Sequence, residues 1–194
     1  MCAACQRAQA ACICRWVAPS RSEVRLLILQ STLEARNAKN SARLLHLSLQ
    51  GSVLALGDAF DTTVLDAMLH ADGALPVLLY PSAQHAGMAV APPLPVELKG
   101  PVRLVALDAT WRKSLRMLYE NPALQRLPRL SLNSLDASRY APLRKAHKPG
   151  QLSTFEAVCT ALAQLDAAFD PGALLAGFGG FVAQQTRLRE SHRS

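Results

Sequence analysis

The stretch LVALDATWRKSLRM, residues 104–117, gathers the side chains best suited to chemistry. The apolar run 104–107 predicts a short buried strand, and Asp108 follows at its end. A carboxylate placed there is suited to accept a proton or to bind a cationic group. Thr110 adds a hydroxyl, and Trp111 adds an aromatic face on which a flat ligand can stack.

Each of these residues also has a plainer interpretation. Asp108 fits the role of a helix cap. Trp111 shares one face of the predicted helix with Leu115 and Leu118, which is typical of a core position. The cations of this helix lie off that face and suit either solvation or contact with phosphate: Arg112, Lys113 and Arg116.

Four of the five cysteines lie in the first 14 residues, with the spacing C-x2-C-x6-C-x-C. Four thiolates are a preferred ligand set for a structural zinc ion, so we predict a zinc site formed by Cys2, Cys5, Cys12 and Cys14. Disulfides and buried inert thiols are the alternatives. Cys159 lies in the middle of a predicted helix and is expected in the core.

The chain has 194 residues and a formal charge of +7, and the positive charge is uneven. Residues 99–148 contain eleven Lys or Arg but only three acids, so the whole excess lies in this segment. A local excess of this kind favours a polyanion such as RNA as partner. No apolar run approaches the roughly 20 residues of a spanning helix, and no signal-peptide pattern is present. We therefore expect a cytoplasmic protein that is not bound to a membrane.

Short apolar runs alternate with helical patterns along the chain, which predicts an α/β fold: a mostly parallel sheet with helices on both faces. The predicted strands are 24–29, 52–56, 75–81, 102–108 and a shorter one at 129–132. The predicted helices fall near 42–49, 61–70, 110–121, 152–169 and 173–189. The glycines of GFGGF, 177–181, follow no strand and do not make a dinucleotide fingerprint.

Polar groups follow several of the predicted strands, and the carboxyl ends of parallel strands are where ligands bind. We predict a pocket there, with Asp108 as its acid, hydroxyls from Thr110 and Ser153, and a stacking face from Trp111. Backbone amides at the start of the helix near Thr154 would add anion-binding groups. Glu156 would either bind a ligand amide or cap its own helix.

The stretch LDATW resembles the D-x-T-W signature of the DTW-domain proteins. Further blocks resemble the family in the same order: the four-cysteine head, LQSTLEARNAKNSARLL, LLYP, LDATWRKSLRMLYENPALQRLPRLSL, YAPLRKAHKPGQLSTFEA and FVAQQ. Two departures lie after the first strand. Ser31, Thr32 and Leu33 precede Glu34 where the family has His-Pro, and Asn40-Ser41 replaces an Asn-Thr pair. The proline expected after Arg7 is also missing.

This resemblance implies a tRNA-uridine aminocarboxypropyltransferase related to the SPOUT methyltransferases, with a C-terminal trefoil knot. It divides the chain into a zinc-binding head, 1–20, and a catalytic domain, 21–194. S-adenosylmethionine is the implied donor of a 3-amino-3-carboxypropyl group to uridine N3, and 5′-methylthioadenosine is the product that leaves. The alternatives are an RNA methyltransferase on the same fold and a non-catalytic, zinc-containing RNA-binding protein.

The resemblance also assigns roles to residues. Asp108 would act as base or bind the donor's amino group, and Thr110 would orient Asp108 or the donor. Trp111 would pack against adenine or simply hold the helix. Arg144 is the candidate for the donor's carboxylate. The remaining donor-binding candidates are Leu79, Tyr80, Pro81, Leu107, Leu152, Ser153, Thr154 and Glu156. The candidates for binding tRNA are Arg36, Lys39, Arg112, Lys113 and Arg116. The sequence indicates no obligate protein partner; it leaves the oligomeric state open but favours a monomer.

Overall fold

The computed structural model describes residues 1–82, 87–132 and 152–191. Its centre is a sheet of five parallel strands in the order β2-β1-β4-β3-β5. The strands are β1 Arg25–Gln30, β2 Val53–Leu56, β3 Leu75–Leu79, β4 Val102–Asp108 and β5 Arg129–Leu130. The predicted parallel α/β sheet is confirmed. Strands β3 and β5 end two residues before their predicted ends.

The register of the sheet brings together the ends of strands that lie far apart in sequence. Strand β4 is central, with β1 on one side and β3 on the other. Gln30, the last residue of β1, pairs with Asp108, the last residue of β4. Leu79, the last residue of β3, pairs with Ala106. Asp108 therefore lies at the carboxyl edge of the sheet, between the chain segments that leave β1 and β3.

Helices cover both faces of the sheet, as predicted, because successive side chains of each strand point to opposite faces. One face carries α2, α6 and α7, and the other carries α3, α4 and α5. In β1, Ile28 belongs to the first core and Leu29 to the second. The α-helices are α1 Thr32–Ala35, α2 Ala42–Ser48, α3 Thr62–Leu69, α4 Trp111–Glu120, α5 Pro122–Gln125, α6 Thr154–Leu165 and α7 Gly172–Ser191.

The N-terminal head packs directly on the long helix α7. Cys5 and Ile13 are buried in the same core as Phe181 of that helix. The indole N–H of Trp16 donates to the side-chain oxygen of Gln184, and the Gln184 amide donates to the carbonyl of Cys12 at 3.0 Å. Gln184 therefore binds the head at two points. The division between a head at 1–20 and a domain at 21–194 stays a prediction.

The glycines of α7 have a packing role in this contact. A Cβ at Gly180 would lie less than 3.0 Å from the Trp16 ring, and one at Gly177 would lie equally close to the Trp16 carbonyl. Only glycine allows the head to approach the helix this closely. The GFGGF stretch is therefore a contact surface for the head.

Two further sequence predictions concern the whole chain. The trefoil knot depends on the chain path through 133–151, which lies outside the described residues, so it stays a prediction. No helix in the described part of the chain has both the length and the apolar character needed to cross a membrane.

We expect Gly180→Ala to lower the free energy of unfolding by about 1–3 kcal/mol, because the added methyl group overpacks against the Trp16 ring. Gly179→Ala is the matched control: a Cβ there meets no atom within 4 Å. Since alanine favours a helix interior over glycine, the control variant should gain up to about 1 kcal/mol. Denaturant unfolding measures both. Equal effects of the two substitutions would contradict the close head–helix contact.

Candidate active site and metal centre

Asp108 is held at the carboxyl edge of the sheet by two side-chain amides. Its Oδ2 accepts from Gln30 Nε2 at 2.8 Å and from Asn40 Nδ2 at 2.6 Å. Gln30 Nε2 also donates to Asn40 Oδ1 at 2.9 Å, so the three side chains form one closed group. Asp108 is only 5% exposed. Neither of the two hydrogen bonds from these amides involves Oδ1 of Asp108. Asp108 does not cap α4, because Thr110 is the N-cap and accepts from the Lys113 backbone at 3.3 Å.

The head fixes the loop that carries Asn40. Both terminal nitrogens of Arg7 donate to backbone carbonyls of this loop, Nη1 to Ala38 and Nη2 to Asn40, each at 2.5 Å. The Arg7 guanidinium also lies over the Phe181 ring, 5.4 Å from its centroid. Arg7 therefore links the head and α7 to the residue that binds Asp108.

A cavity of about 370 Å³ opens beside β4 at the same edge. Six of the predicted donor-binding residues line it: Leu79, Tyr80, Pro81, Leu107, Leu152 and Thr154. The structure adds further residues that the sequence analysis missed: Ala106, Ala109, Ser114, Leu130, Ser131, Leu132 and Ala157. No charged side chain is present among the lining residues that the structure describes.

Trp111 and Tyr80 form an aromatic wall of this cavity. Their ring centroids are 6.0 Å apart with an angle of 65° between the planes. Trp111 is 60% exposed, so its interpretation as a core residue is wrong. As the first residue of α4 it lies at the sheet edge, and the buried face of the helix is formed by Ser114, Met117 and Leu118. The exposed indole is free to receive a flat ligand.

Two other predicted donor-binding residues, Ser153 and Glu156, do not line the cavity. Ser153 and Glu156 form a capping box on α6: the Glu156 carboxylate accepts from the Ser153 backbone at 2.9 Å, and Ser153 Oγ accepts from the Glu156 backbone at 3.2 Å. Of the two roles considered for Glu156, capping its own helix is the one that the geometry supports. Arg144 lies outside the described residues.

The predicted RNA-binding cations lie in two groups. On α4, Lys113 pairs with Asp58 at 2.9 Å and Arg116 pairs with Glu120 at 2.7 Å, whereas Arg112 is exposed. Although burial opposes the shift, hydrogen bonds from Lys113 and Thr32 lower the pKa of Asp58. The charge of Lys113 is thus already balanced within the protein.

Arg36 and Lys39 line a second cavity of about 1000 Å³, which we call the basic cleft. Its walls come from the head, the 35–40 loop, α2, β2 and the end of α7. Three of its cations were not predicted from the sequence: Arg7, Arg43 and Arg189. They are far apart in sequence and are brought together only by the packing of the head on α2 and α7, so no local pattern predicts them.

The four head cysteines lie in a geometry that fits a tetrahedral metal site. All four Sγ atoms lie within 4.8 Å of one another, with Cys2 and Cys14 at 3.5 Å and Cys5 and Cys12 at 3.8 Å. Thiolates at about 2.3 Å from a zinc ion in tetrahedral positions lie roughly 3.8 Å apart. The cluster therefore fits a zinc ion, and with four protein ligands such a site has no open position for catalysis.

The head also stabilises thiolate. Hydrogen bonds from the backbone at Cys5 and Ala4 lower the pKa of Cys2 to about 6. The hydrogen bond with Cys2 raises the pKa of Cys14 to about 12. Their hydrogen bond therefore favours ionisation of Cys2 over Cys14, and binding of a metal ion would displace the protons that remain on the thiols. The fifth cysteine, Cys159, is buried in the core as predicted, and burial raises the pKa of its thiol.

We expect the native protein to resist alkylation at all five cysteines while metal is bound. A strong chelator should expose the four head thiols, since thiolates released from a metal are reactive. Cys159 should stay protected, because it is buried and its pKa is raised. Mass spectrometry after iodoacetamide counts the modified cysteines. Equal modification with and without chelator would contradict metal binding by the head.

The family model described as the DTW domain matches residues 1–186, which include the four head cysteines, Asp108 and most of α7. No solved structure matches the chain. Membership of this family is consistent with a tRNA-modifying enzyme. Because the match covers almost the full length, the chain belongs to the DTW-domain family.

Proposed function

We propose that this protein transfers the 3-amino-3-carboxypropyl group of S-adenosylmethionine to N3 of a uridine in tRNA and releases 5′-methylthioadenosine. The observation that carries the proposal is the cavity with its aromatic wall, whose described lining residues carry no charge, placed beside a buried carboxylate at the carboxyl edge of the sheet. Family membership adds the expectation of a tRNA substrate.

The cavity suits the donor in size and chemistry. A volume of about 370 Å³ is within the usual range for a small-molecule site. Its apolar side chains suit the adenine ring, and the face of Trp111 is positioned to stack on it. The ring of Trp111 also attracts a positively charged sulfonium. Arg144 remains our candidate for the donor's carboxylate.

The transfer is a single displacement at carbon. The uridine N3 lone pair forms a bond to the γ-carbon of the methionine chain, and the bond from this carbon to sulfur breaks. Sulfur keeps the electron pair, so the sulfonium becomes a neutral thioether. The N3 proton goes to a base, for which Asp108 is the candidate. Three carbons are bonded to the same sulfur, so selectivity depends on which carbon is held in line with N3.

Asp108 is also suited to a positioning role. Its Oδ2 is occupied by the amides of Gln30 and Asn40, which fixes the orientation of the carboxylate. A carboxylate fixed in this way can either accept the N3 proton or hold the donor's ammonium group. A zinc ion held by the four head cysteines would supply no chemistry in this scheme and would serve to hold the head in place.

The direct test incubates the protein with bulk tRNA and donor labelled in the methionine carbon chain. We expect labelled aminocarboxypropyl-uridine in the nucleoside digest and one 5′-methylthioadenosine for each transfer. Mass spectrometry identifies both products. S-adenosylhomocysteine and a methylated nucleoside would instead establish a methyltransferase. Binding of tRNA with no turnover of donor would establish a non-catalytic RNA-binding protein.

We expect Asp108→Asn to lower the transfer rate by about 10²–10⁴-fold, the usual contribution of a general base. The amide keeps an oxygen to accept from Gln30 and Asn40, so the fold should be retained. If Asp108 is the base, donor affinity stays near that of the unmodified protein; if it holds the donor's ammonium, donor affinity falls as well. Calorimetric donor binding separates the two roles.

The matched control is Asp66→Asn, which changes an exposed carboxylate on α3. This control should transfer the group at the normal rate. Near-normal transfer by Asp108→Asn would remove Asp108 from the mechanism.

A further inference from the structure

The basic cleft has the charge and chemistry of a site for a polyanion. Five cations line it, and no acid is found among its described lining residues. The cations come from four separate parts of the fold: Arg7 from the head, Arg36 and Lys39 from the loop after α1, Arg43 from α2 and Arg189 from α7. Such a concentration of like charge is unfavourable unless a ligand of opposite charge binds there.

Polar atoms in the cleft wall also lack protein partners. The Nε of Arg43 and the Nε2 of Gln185 are buried and make no hydrogen bond within the described residues. Buried donors without a partner are uncommon in folded proteins, and each one is costly. Both residues line the cleft.

The cleft leads to the candidate active site. Gln30 and Asn40 line it, and these are the two residues whose amides donate to Asp108. The neighbours of Asp108 in β4, Ala106 and Leu107, line the uncharged cavity instead. Asp108 therefore lies between the two sites. Leu54 and Leu56 of β2 give the cleft an apolar surface against which a nucleobase can pack.

We infer that the basic cleft binds the part of the RNA that carries the target nucleotide. The phosphates of this part contact Arg36, Lys39 and Arg189, and the target nucleotide is directed toward Gln30 and Asn40. A cationic sulfonium is repelled by the five cations of the cleft, whereas the phosphates of RNA are attracted to them. The identity of the target nucleotide as a uridine rests on the proposed function. The binding of RNA in the basic cleft does not.

Arg7 and Arg43 are unsuitable for the test, because both bind backbone carbonyls and support the head. Lys39 and Arg189 are exposed, and the structure gives their side chains no such role. Lys39→Gln and Arg189→Gln remove one charge each and should leave the fold unchanged. Arg126→Gln is the matched control: Arg126 is an exposed cation next to α5, on the opposite face of the sheet.

Binding of an unmodified tRNA transcript is measured by fluorescence anisotropy over a series of salt concentrations. Each cleft variant should weaken binding about fivefold at physiological salt, since one phosphate contact is lost. The salt slope, which is the slope of the logarithm of the binding constant against the logarithm of the salt concentration, should fall in magnitude by about one. The double variant should lose about 25-fold, because the two positions act independently. Arg126→Gln and the affinity for S-adenosylmethionine should not change.

The outcomes separate the cleft from the proposed reaction. Weaker tRNA binding by both cleft variants, with a normal control, supports the cleft even if no aminocarboxypropyl group is transferred. Unchanged tRNA affinity and salt slope in the double variant would overturn the inference, even if the transfer reaction is found. Equal losses in the control and the cleft variants would also overturn it, because binding would then follow overall charge.

Discussion

The closed group formed by Asp108, Gln30 and Asn40 is the constraint on which the candidate site depends. It ties together the ends of two neighbouring strands, β1 and β4, and the loop that leads into α2. A buried carboxylate without donors would be costly, so the two amides allow Asp108 to lie at 5% exposure between two cavities. Because both bonds end on the same oxygen, the orientation of the carboxylate is fixed by the fold itself.

The N-terminal head supports this group of three side chains from a distance. Arg7 follows the second head cysteine by two residues and binds the carbonyl of Asn40, whose side chain binds Asp108. The head is held in turn by the contact between Trp16 and the glycines of α7 and by the two hydrogen bonds of Gln184. A zinc ion that takes no part in the reaction would therefore still influence the site, because it fixes the point from which Arg7 reaches the loop.

The sequence predicted those parts of the fold that are encoded locally. Apolar runs predicted the parallel strands, and of the two roles considered for Glu156, capping its own helix is the one found at the start of α6. The cysteine spacing predicted the cluster of four cysteines that could hold a metal ion. Helical periodicity failed at Trp111, because periodicity reports which residues share a face but not where the helix projects beyond the sheet. The cations Arg7, Arg43 and Arg189 were missed for a related reason: only tertiary packing places them in one cleft.

The position of the head explains why a closed metal site belongs to such a fold. The sheet alone would present the carboxyl ends of β1 and β2 at an open edge, where an RNA strand could be held from one side only. Residues of the head, including Gln6, Arg7 and Ala8, add a facing wall and turn this edge into a cleft. A metal ion held by the four cysteines would order a stretch in which no described helix is longer than three residues. Metal binding by the head would therefore affect both the shape of the cleft and the position of Asn40.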